Sequence, residues 1–534
     1  MTPDAMRAHT LRAAGHWGDL TVADYARTQS LQQPERILLI EADRRLSAAQ
    51  LFGEAEALAA AFLDNGLAPG DTVSYMLPNW YETCVISLAA ALTGLIINPL
   101  LPIYRERELS FMLADCRSRL LFIPARFRNL DYRELIAGIR DQLPALEQVI
   151  VVRGAEGSDA AYERFLGSRG AAPLPAVSAD AIKMLIYTSG TTGRPKGVLH
   201  THNTIMADVR SLADFWRVTP ADSFFVPSPV THIGGSLYAH EFVWYSGTPA
   251  VLLDMWNGGD ALKLLHEHGC TISAGATPFL KDLIEASRRT GAVPHELRLF
   301  ICGGAAVPPS LIREAHELFP NCVSCRVYGS TEVPTITGGA APDDGIEACA
   351  ETDGALCGTE IRLVDPETGR EVAAGMEGEI LVRGPEMFLG YKRAEDNESV
   401  FTADGFFKTG DLGRRVGTEH LVITGRKKDL IIRAGENISS KEIEDALSEH
   451  PAIAEIAVVS VPSERTGEAV CACLVLKAGA ALPLEELGRF MRERGWARQK
   501  IPEALLVLPS LPRTATGKVR KDVLRAEARA GVTT

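Results

Sequence analysis

Residues 187–197 carry the most informative pattern in the chain: Tyr-Thr-Ser-Gly-Thr-Thr-Gly-Arg-Pro-Lys-Gly. The apolar run that ends at Tyr187 predicts a buried strand, and the segment then combines three glycines, four hydroxyl side chains and one lysine. Backbone N–H groups of such a loop can close on phosphate oxygens, while Lys196 adds a positive charge. A plain flexible turn would explain the glycines but not the hydroxyl run with its lysine. The segment therefore predicts a phosphate-binding loop, different from the P-loop G-x-x-x-x-G-K-S/T because Gly197 follows the lysine.

The flanking sequence predicts an α/β protein. Short apolar runs alternate with helix-like stretches, as in βα units of a mostly parallel sheet; the runs are Ile37–Ile40, Leu120–Ile123, Val149–Val152 and Leu185–Tyr187. After the basic cluster 426–428, strand patterns are followed by an amphipathic helix over 484–493. We therefore expect a large N-terminal domain, 1–427, of α/β layers with mostly parallel sheets, and a small α+β C-terminal domain, 428–534. The acidic, turn-rich stretch 340–354 predicts a loop.

Composition excludes several classes of protein. The 534 residues are 46% hydrophobic with a net charge of -13, which is typical of globular proteins and unfavourable for nucleic-acid binding. Ten cysteines without dense spacing indicate a reducing compartment, and no secretory signal opens the chain, so we expect a cytoplasmic protein. The uncharged run 84–104 is interrupted by glycine and prolines and predicts a buried helix followed by a strand, without integral membrane contact. The segment 266–269, His-Glu-His-Gly, predicts a helix end rather than a zinc site.

Four further segments follow the loop in a fixed order. They are Gly303-Gly304-Ala305 with Tyr328-Gly329-Ser330-Thr331-Glu332, Thr409-Gly410-Asp411, Gly425-Arg426-Lys427-Lys428-Asp429, and Pro512-Arg513-Thr514-Ala515-Thr516-Gly517-Lys518. With the loop at 187–197, this series resembles the adenylate-forming superfamily of acyl-CoA synthetases, firefly-type luciferases and adenylation domains of peptide synthetases. A lone glutamate or lysine is usually solvated surface, but the flanking residues of Glu332 and Lys518 favour a site.

The resemblance implies how the nucleotide is bound. It gives ATP-binding roles to Thr188, Ser189, Gly190, Thr191, Thr192, Gly193, Lys196, Gly303, Gly304, Ala305, Tyr328, Gly329, Thr331, Asp411 and Arg426. In the family, the tyrosine packs on adenine, the aspartate accepts from the ribose hydroxyls, and the glutamate helps to hold Mg²⁺, which implies Glu332 as the metal residue. The implied cofactors are ATP and Mg²⁺, with coenzyme A as co-substrate.

The resemblance also implies a two-step reaction with a moving C-terminal domain. A carboxylate is a poor electrophile, so attack on the α-phosphate of ATP first gives an acyl-adenylate and pyrophosphate. Lys518 would bridge the attacking carboxylate and the α-phosphate. A rotation about the hinge residue Lys428 would then remove Lys518 and open a coenzyme A channel at Gly435 and Glu436.

The segment 227–235, Pro-Ser-Pro-Val-Thr-His-Ile-Gly-Gly, resembles the carboxylate end of the family's acid pocket. It predicts a pocket formed by His232, Ile233, Gly235 and Gly303, with His232 as a catalytic gate residue. Ile233 stands where amino-acid-activating relatives place an aspartate, so amino acids are disfavoured. The glycines leave room for an apolar alicyclic, aromatic or medium-chain acid.

Several alternatives remain open from the sequence. A free-standing enzyme of this kind can load a carrier-protein thiol instead of coenzyme A, and a luciferase-like oxygenase is a third enzyme class. A non-catalytic nucleotide-binding paralogue would lack Lys518 or Glu332, and both are present. The flanks of Lys518 resemble targets of lysine acetylases, which makes an acetylase a candidate partner. The oligomeric state, a homodimer included, stays open.

Overall fold

The computed structural model describes residues 4–154, 162–167, 173–188, 194–305, 307–341, 344–433, 436–463, 465–514 and 517–531. The chain forms two compact units. The large unit comprises Met1–Glu360 and Val382–Gly405, and the small unit comprises Ile361–Leu381 and Phe406–Thr534. The expected domain boundary at 427/428, which marks the start of the part that is expected to move, stays a prediction.

The described helices are distributed over both units. They are α1 Ala5–Ala13, α2 Val22–Gln32, α3 Ala48–Asp64, α4 Glu82–Thr93, α5 Glu106–Cys116, α6 Tyr132–Ala137, α7 Tyr162–Leu166, α8 His202–Phe215, α9 Ile233–Ser236, α10 Phe242–Ser246, α11 Gly258–His268, α12 Thr277–Thr290, α13 Pro309–Leu318, α14 Ile346–Glu351, α15 Ser440–Ser448, α16 Leu484–Glu493 and α17 Lys521–Gly531. A π-helical turn, Leu237–Glu241, joins α9 to α10.

The strands are mostly short. They are β1 Ile37–Glu41, β2 Arg44–Ser47, β3 Thr72–Tyr75, β4 Ile96–Pro99, β5 Leu120–Pro124, β6 Arg126–Phe127, β7 Leu130–Asp131, β8 Gln148–Val152, β9 Ile182–Thr188, β10 Lys196–Thr201, β11 Phe224–Val226, β12 Ala250–Leu252, β13 Ile272–Gly275, β14 Leu299–Cys302, β15 Val323–Arg326, β16 Glu360–Val364, β17 Gly378–Arg383, β18 Gly390–Tyr391, β19 Phe407–Val416, β20 His420–Arg426, β21 Ile431–Arg433, β22 Glu436–Ile438, β23 Ile453–Ser463, β24 Gly467–Leu476 and β25 Ala504–Val507.

The large unit contains two seven-stranded sheets. The first has the order β15-β14-β13-β11-β12-β1-β2, in which only the β1–β2 pair is antiparallel. The second has the order β18-β10-β9-β4-β3-β5-β8, which is parallel from β9 to β8. Each of the four predicted apolar runs lies in a strand of these sheets, so the predicted α/β fold with mostly parallel sheets is confirmed.

Helix α4 shows why the uncharged run is buried rather than membrane-spanning. Every residue of α4 is buried, the helix ends at Gly94 in the left-handed conformation (φ 70°), and β4 follows directly, as predicted. None of the helices within the described ranges has the length and apolar character that a bilayer crossing requires. Helix α11 likewise ends at His268 with the left-handed Gly269 after it, which confirms the predicted helix end.

The small unit is built on two sheets. One has the order β16-β17-β19-β20, and the other has the order β22-β21-β24-β23 with β25 beside β24. Helix α16 spans the predicted residues 484–493 and buries Leu487 and Met491. The unit has its own apolar core, which includes Ile443, Val458 and Val470. The expected small α+β part is therefore present.

One predicted loop is wrong. The stretch 340–354 contains helix α14, which begins after Gly345 and buries Cys349 and Ala350. Arg313 of α13 lies within 2.8 Å of Glu347 and 2.6 Å of Glu351, so the acidic residues of this stretch face a basic neighbour. The packing against α13 supplies a stabilisation that is invisible in the local composition.

Candidate active site

The strands on either side of the predicted phosphate loop pair with each other. Strands β9 and β10 pair antiparallel, with Thr188 opposite Lys196. Residues Ser189, Gly190, Thr191, Thr192 and Gly193 lie outside the described residues. Gly197 packs closely against its neighbours, since a Cβ there would lie 2.8 Å from Leu185 Cδ1 and 3.3 Å from Tyr187 Cε1. The pairing of β9 with β10 thus holds Thr188 and Lys196 opposite each other, on either side of residues 189–193 in the chain.

The ammonium group of Lys196 is held by an aromatic ring and a carboxylate. Its Nζ lies 4.8 Å from the centre of the Tyr391 ring and 3.9 Å from Asp396 Oδ1. Arg194 lies 3.2 Å from Glu395 and 3.6 Å from the same Asp396 carboxylate. A cation over a tyrosine face is stabilised by the ring quadrupole, so the lysine is oriented without a tight ion pair that would neutralise it.

Glu332 contacts the hydroxyl group of the same tyrosine. Tyr391 donates its hydroxyl hydrogen to Glu332 Oε1 at 2.7 Å, and Phe388 N–H donates to the Glu332 carbonyl at 2.8 Å. Burial and the neighbouring Glu332 charge raise the pKa of Tyr391, which therefore stays a hydrogen-bond donor. The structure thus brings together Lys196 and Glu332, two residues that the sequence assigned to one nucleotide site, through Tyr391.

Tyr391 was missed by the sequence reasoning. Its bond to Glu332 joins residues 59 positions apart, so no local spacing reveals it. The only signal available was the Gly390-Tyr391 pair after an apolar run, which forms the short strand β18 beside β10. Strand β18 thus places Tyr391 beside β10 and next to Lys196.

The two remaining predicted nucleotide segments of the large unit lie side by side. Gly303-Gly304-Ala305 follows β14 and Tyr328-Gly329 follows β15, and the parallel pairing of these strands brings both segments to one edge of the sheet. A Cβ on Gly329 would lie 2.1 Å from Pro334 O, and the turn is closed by Tyr328 N–H donating to Thr337 Oγ1 at 2.8 Å. Next in the chain, Thr331 is buried and its carbonyl accepts from His200 Nε2 at 2.7 Å.

The predicted acid-pocket segment forms the start of a helix. His232 is exposed at the N-terminus of α9, and Ile233 is buried. The expectation that glycines here leave room for an acid stays a prediction, and close packing gives Gly235 and Gly303 a second reason to be glycine. A Cβ on Gly235 would lie 2.1 Å from Pro229 O, and one on Gly303 would lie 2.6 Å from Val327 Cγ2. Close packing of neighbouring residues therefore explains these two glycines, and their place in an acid pocket stays a prediction.

In the small unit, Asp411 and Arg426 form a pair. They are register partners on β19 and β20, and Arg426 Nε lies 2.9 Å from Asp411 Oδ1. Thr409 positions the aspartate, because its hydroxyl accepts from Asp411 N–H at 3.0 Å and donates to Ile380 O at 2.9 Å. Asp411 and Arg426 are both predicted nucleotide residues, and the sheet places them together.

The remaining predicted residues of the small unit lie at turns and strand ends. Lys428 lies in a single helical turn, 427–429, where burial and the nearby Arg426 lower its pKa. Glu436 begins β22 and is exposed, while Gly435 lies outside the described residues. Lys518 is exposed on a tight turn in which Thr514 N–H donates to Lys518 O at 2.7 Å and Lys518 N–H donates to Thr514 Oγ1 at 3.1 Å.

Comparisons with known proteins place this geometry in a family. Residues 26–392 match the family described as AMP-binding enzyme, and residues 442–518 match the AMP-binding enzyme C-terminal domain. A medium-chain fatty-acid–CoA ligase of Escherichia coli (strain K12) is 36% identical, over 99% of this chain and 94% of its own length. A salicyl-AMP ligase/salicyl-S-ArCP synthetase of Mycobacterium tuberculosis is 32% identical, over 97% of this chain and 92% of its own.

A solved structure agrees over nearly the whole chain. The o-succinylbenzoate CoA synthetase of Bacillus subtilis, in complex with its acyl-adenylate intermediate, superimposes with a TM-score of 0.83 at 28% identity, over 95% of this chain and 98% of its own. The resemblance inferred from five short segments is confirmed by these matches. The chain is an enzyme and belongs to the AMP-binding enzyme family.

Proposed function

We propose that this enzyme activates a carboxylic acid with MgATP and transfers the acyl group to coenzyme A. In the first step a carboxylate oxygen attacks the α-phosphorus of ATP, the bond to pyrophosphate breaks, and an acyl-adenylate forms. In the second step the sulfur of coenzyme A attacks the acyl carbon and AMP leaves. The assembly of Lys196, Tyr391 and Glu332 at the base of the phosphate hairpin is the observation that carries the proposal.

The residues of the large unit fit the triphosphate and its metal ion. Lys196 supplies positive charge next to the loop, and Tyr391 keeps Glu332 oriented. A carboxylate has about four lone-pair directions, so Glu332 can accept from Tyr391 and still ligate a hard cation such as Mg²⁺. When bound, Mg²⁺ would neutralise phosphate charge. Gly303, Gly304, Ala305, Tyr328 and Thr331 would form the adenine and α-phosphate side.

The residues of the small unit serve the ribose and the two half-reactions. Asp411 accepts from the ribose hydroxyls, with Arg426 fixing its carboxylate. Lys518 stabilises the charge that develops between acid and α-phosphate, and its position on an exposed tight turn suits a residue that is presented to the nucleotide only in one step. Lys428 acts as the hinge, and Gly435 and Glu436 border the coenzyme A channel.

The acid is apolar. Ile233 is buried and uncharged at the N-terminus of α9, next to the gate residue His232, so the segment offers no partner for a substrate ammonium group. The medium-chain fatty-acid–CoA ligase that is 36% identical supports a medium-chain acid, with alicyclic and aromatic acids as the neighbouring choices.

Transfer to a carrier-protein thiol is the second candidate function. It is favoured by the relative described as a salicyl-S-ArCP synthetase, which is 32% identical. We further propose that Lys518, exposed on its turn, is open to a lysine acetylase, that the enzyme works in the cytoplasm, and that a homodimer is its oligomeric form. Sedimentation of the purified protein tests the last of these.

The test of the proposed function is a substrate panel. Medium-chain, alicyclic, aromatic and amino acids are each incubated with MgATP and coenzyme A, and products are identified by mass spectrometry. The proposal expects acyl-CoA and AMP from apolar acids, with kcat/KM for amino acids lower by at least two orders of magnitude. Absence of any acyl-CoA or acyl-adenylate across the panel would contradict it.

A further inference from the structure

The N-terminal segment, residues 4–20, grips a second segment that leads into the active site. We call this second segment, residues 384–391, the strap; it ends at Tyr391. Arg7 of α1 donates from Nη1 to Phe388 O at 3.1 Å and from Nη2 to Met387 O. Trp17 donates from Nε1 to Pro385 O at 2.9 Å. Two side chains thus bind three backbone carbonyls of the strap, although residues 4–20 precede the family match at 26–392.

The contact between residues 4–20 and the strap is partly buried and involves a charged side chain. Trp17 is 4% exposed, and the Arg7 guanidinium lies 5.3 Å from the centre of its ring. The side chain of Glu386, within the strap, is fully buried, and burial raises the pKa of its carboxyl group well above the ordinary value. Hydrogen bonds from a charged donor in such surroundings are strong, and the planar guanidinium fixes the direction of two of them at once.

The other side of the strap holds the catalytic carboxylate and the hairpin. Phe388 N–H donates to the Glu332 carbonyl at 2.8 Å, while the Phe388 carbonyl accepts from Arg7. Leu389 N–H donates to Leu199 O on β10 at 2.9 Å, and Tyr391 donates to Glu332 Oε1. The residue that Arg7 binds is therefore one hydrogen bond away from the Glu332 backbone.

We infer that Arg7 is a positioning residue for the adenylation step: it fixes the strap, and the strap fixes Glu332 and Tyr391 against the phosphate hairpin. The inference rests on the proposed role of Glu332. Arg7 acts through the backbone of the strap, so its effect is on the geometry of Glu332, and the thioester-forming step does not depend on it.

The experiment compares two half-reactions in the full-length enzyme. Adenylation is followed by pyrophosphate–ATP exchange as a function of Mg²⁺ and ATP, and thioester formation by mixing supplied acyl-adenylate with coenzyme A. Arg7→Met removes the hydrogen bonds from Arg7 to Phe388 O and Met387 O but leaves the bond from Tyr391 to Glu332. It is expected to lower kcat/KM for MgATP in exchange about tenfold and to raise the Mg²⁺ concentration for half-maximal rate. Thioester formation should stay within twofold of wild type.

Further variants separate positioning from loss of folding. Arg7→Lys keeps the charge without the planar fork and should recover part of the exchange rate. Trp17→Phe, which removes the Nε1 donor together with part of the indole ring, should show a smaller defect in the same direction. Arg27→Met is the matched control, because Arg27 is an exposed arginine whose contact is Asp24 of its own helix at 3.5 Å. It should behave as wild type in both half-reactions.

The outcomes discriminate between the two proposals. Glu332→Gln should abolish most exchange; if it does not, the proposed role of Glu332 fails, and the inference with it. If Glu332→Gln is defective but Arg7→Met has wild-type Mg²⁺ and ATP dependence, only the inference is wrong. An equal loss of both half-reactions in Arg7→Met, unrelieved in Arg7→Lys, assigns Arg7 a purely structural role and overturns it as well.

Discussion

The hydroxyl of Tyr391 offers a direct test of how the site holds Glu332. Replacing Tyr391 with phenylalanine removes the 2.7 Å hydrogen bond to Glu332 Oε1 but keeps the ring 4.8 Å from Lys196 Nζ. The tyrosine hydroxyl is the only group lost, so the lysine keeps its aromatic contact. The substitution therefore isolates the carboxylate's orientation from the lysine's environment.

The expected magnitude follows from the type of bond. A hydrogen bond to a charged group contributes about 1.5–3 kcal/mol, so its loss predicts a decrease of about 10- to 150-fold in kcat/KM for MgATP. The decrease should be smaller if water replaces the hydroxyl, since Glu332 then regains a donor. Tyr391→Leu also removes the cation–π contact, worth about 0.5–2 kcal/mol, and should be a further few-fold slower.

The assay is pyrophosphate–ATP exchange at varied ATP and Mg²⁺, with thioester formation from supplied acyl-adenylate as the internal control. The Tyr391→Phe defect should lie in exchange alone. Exchange kinetics equal to wild type in Tyr391→Phe, in a protein with unchanged thermal midpoint, would refute the reasoning that the tyrosine orients Glu332.

Three further predictions concern other parts of the chain. Lys518→Ala should abolish exchange but leave thioester formation from supplied acyl-adenylate within a few-fold of wild type; a matching loss of both would contradict the hinge account. Removal of Mg²⁺ with a chelator should stop exchange, and titration back should restore it; full activity without the ion would exclude the proposed metal role of Glu332. Asp208 lies near Tyr238, Cys357 and Glu386, and burial raises the pKa of Asp208 to about 7. Between about pH 4 and pH 7 the native state therefore binds a proton that the unfolded state has lost. The free energy of unfolding should fall as the pH rises through this range. Asp208→Asn should flatten that dependence in urea unfolding and stabilise the enzyme above pH 7 by at most about 4 kcal/mol, whereas an unchanged pH profile would show that Asp208 is ionised throughout.

Much of the fold was readable because its signals are local. Buried parallel strands read as continuous apolar runs, so β1, β5, β8 and β9 could be predicted from residues that are adjacent in sequence. Helix α16 was predicted with its full span because its apolar face recurs at helical spacing. Helix α14 was missed, since its stability comes from contacts with α13 rather than from its own composition.

The residues of the candidate site also differ in whether a local sequence signal marks them. Lys196 and Glu332 were selected because their neighbours in sequence mark them, whereas Tyr391 and Arg7 act through contacts with distant segments and carry no local mark. The missing Cβ of Gly235 also admits the backbone of Pro229, a contact that no spacing rule shows. Sequence pattern therefore identified the proposed nucleotide-binding groups better than the residues that contact those groups.

The most direct test of the two-step account is the stoichiometry of pyrophosphate release with and without coenzyme A. With MgATP and a turned-over acid but no coenzyme A, the account predicts a burst of about one equivalent per enzyme, followed by steady release once coenzyme A is added, with acyl-CoA accumulating in equal amount. Steady release at the same rate without coenzyme A, or a burst that coenzyme A does not relieve, would contradict coenzyme A as the acceptor.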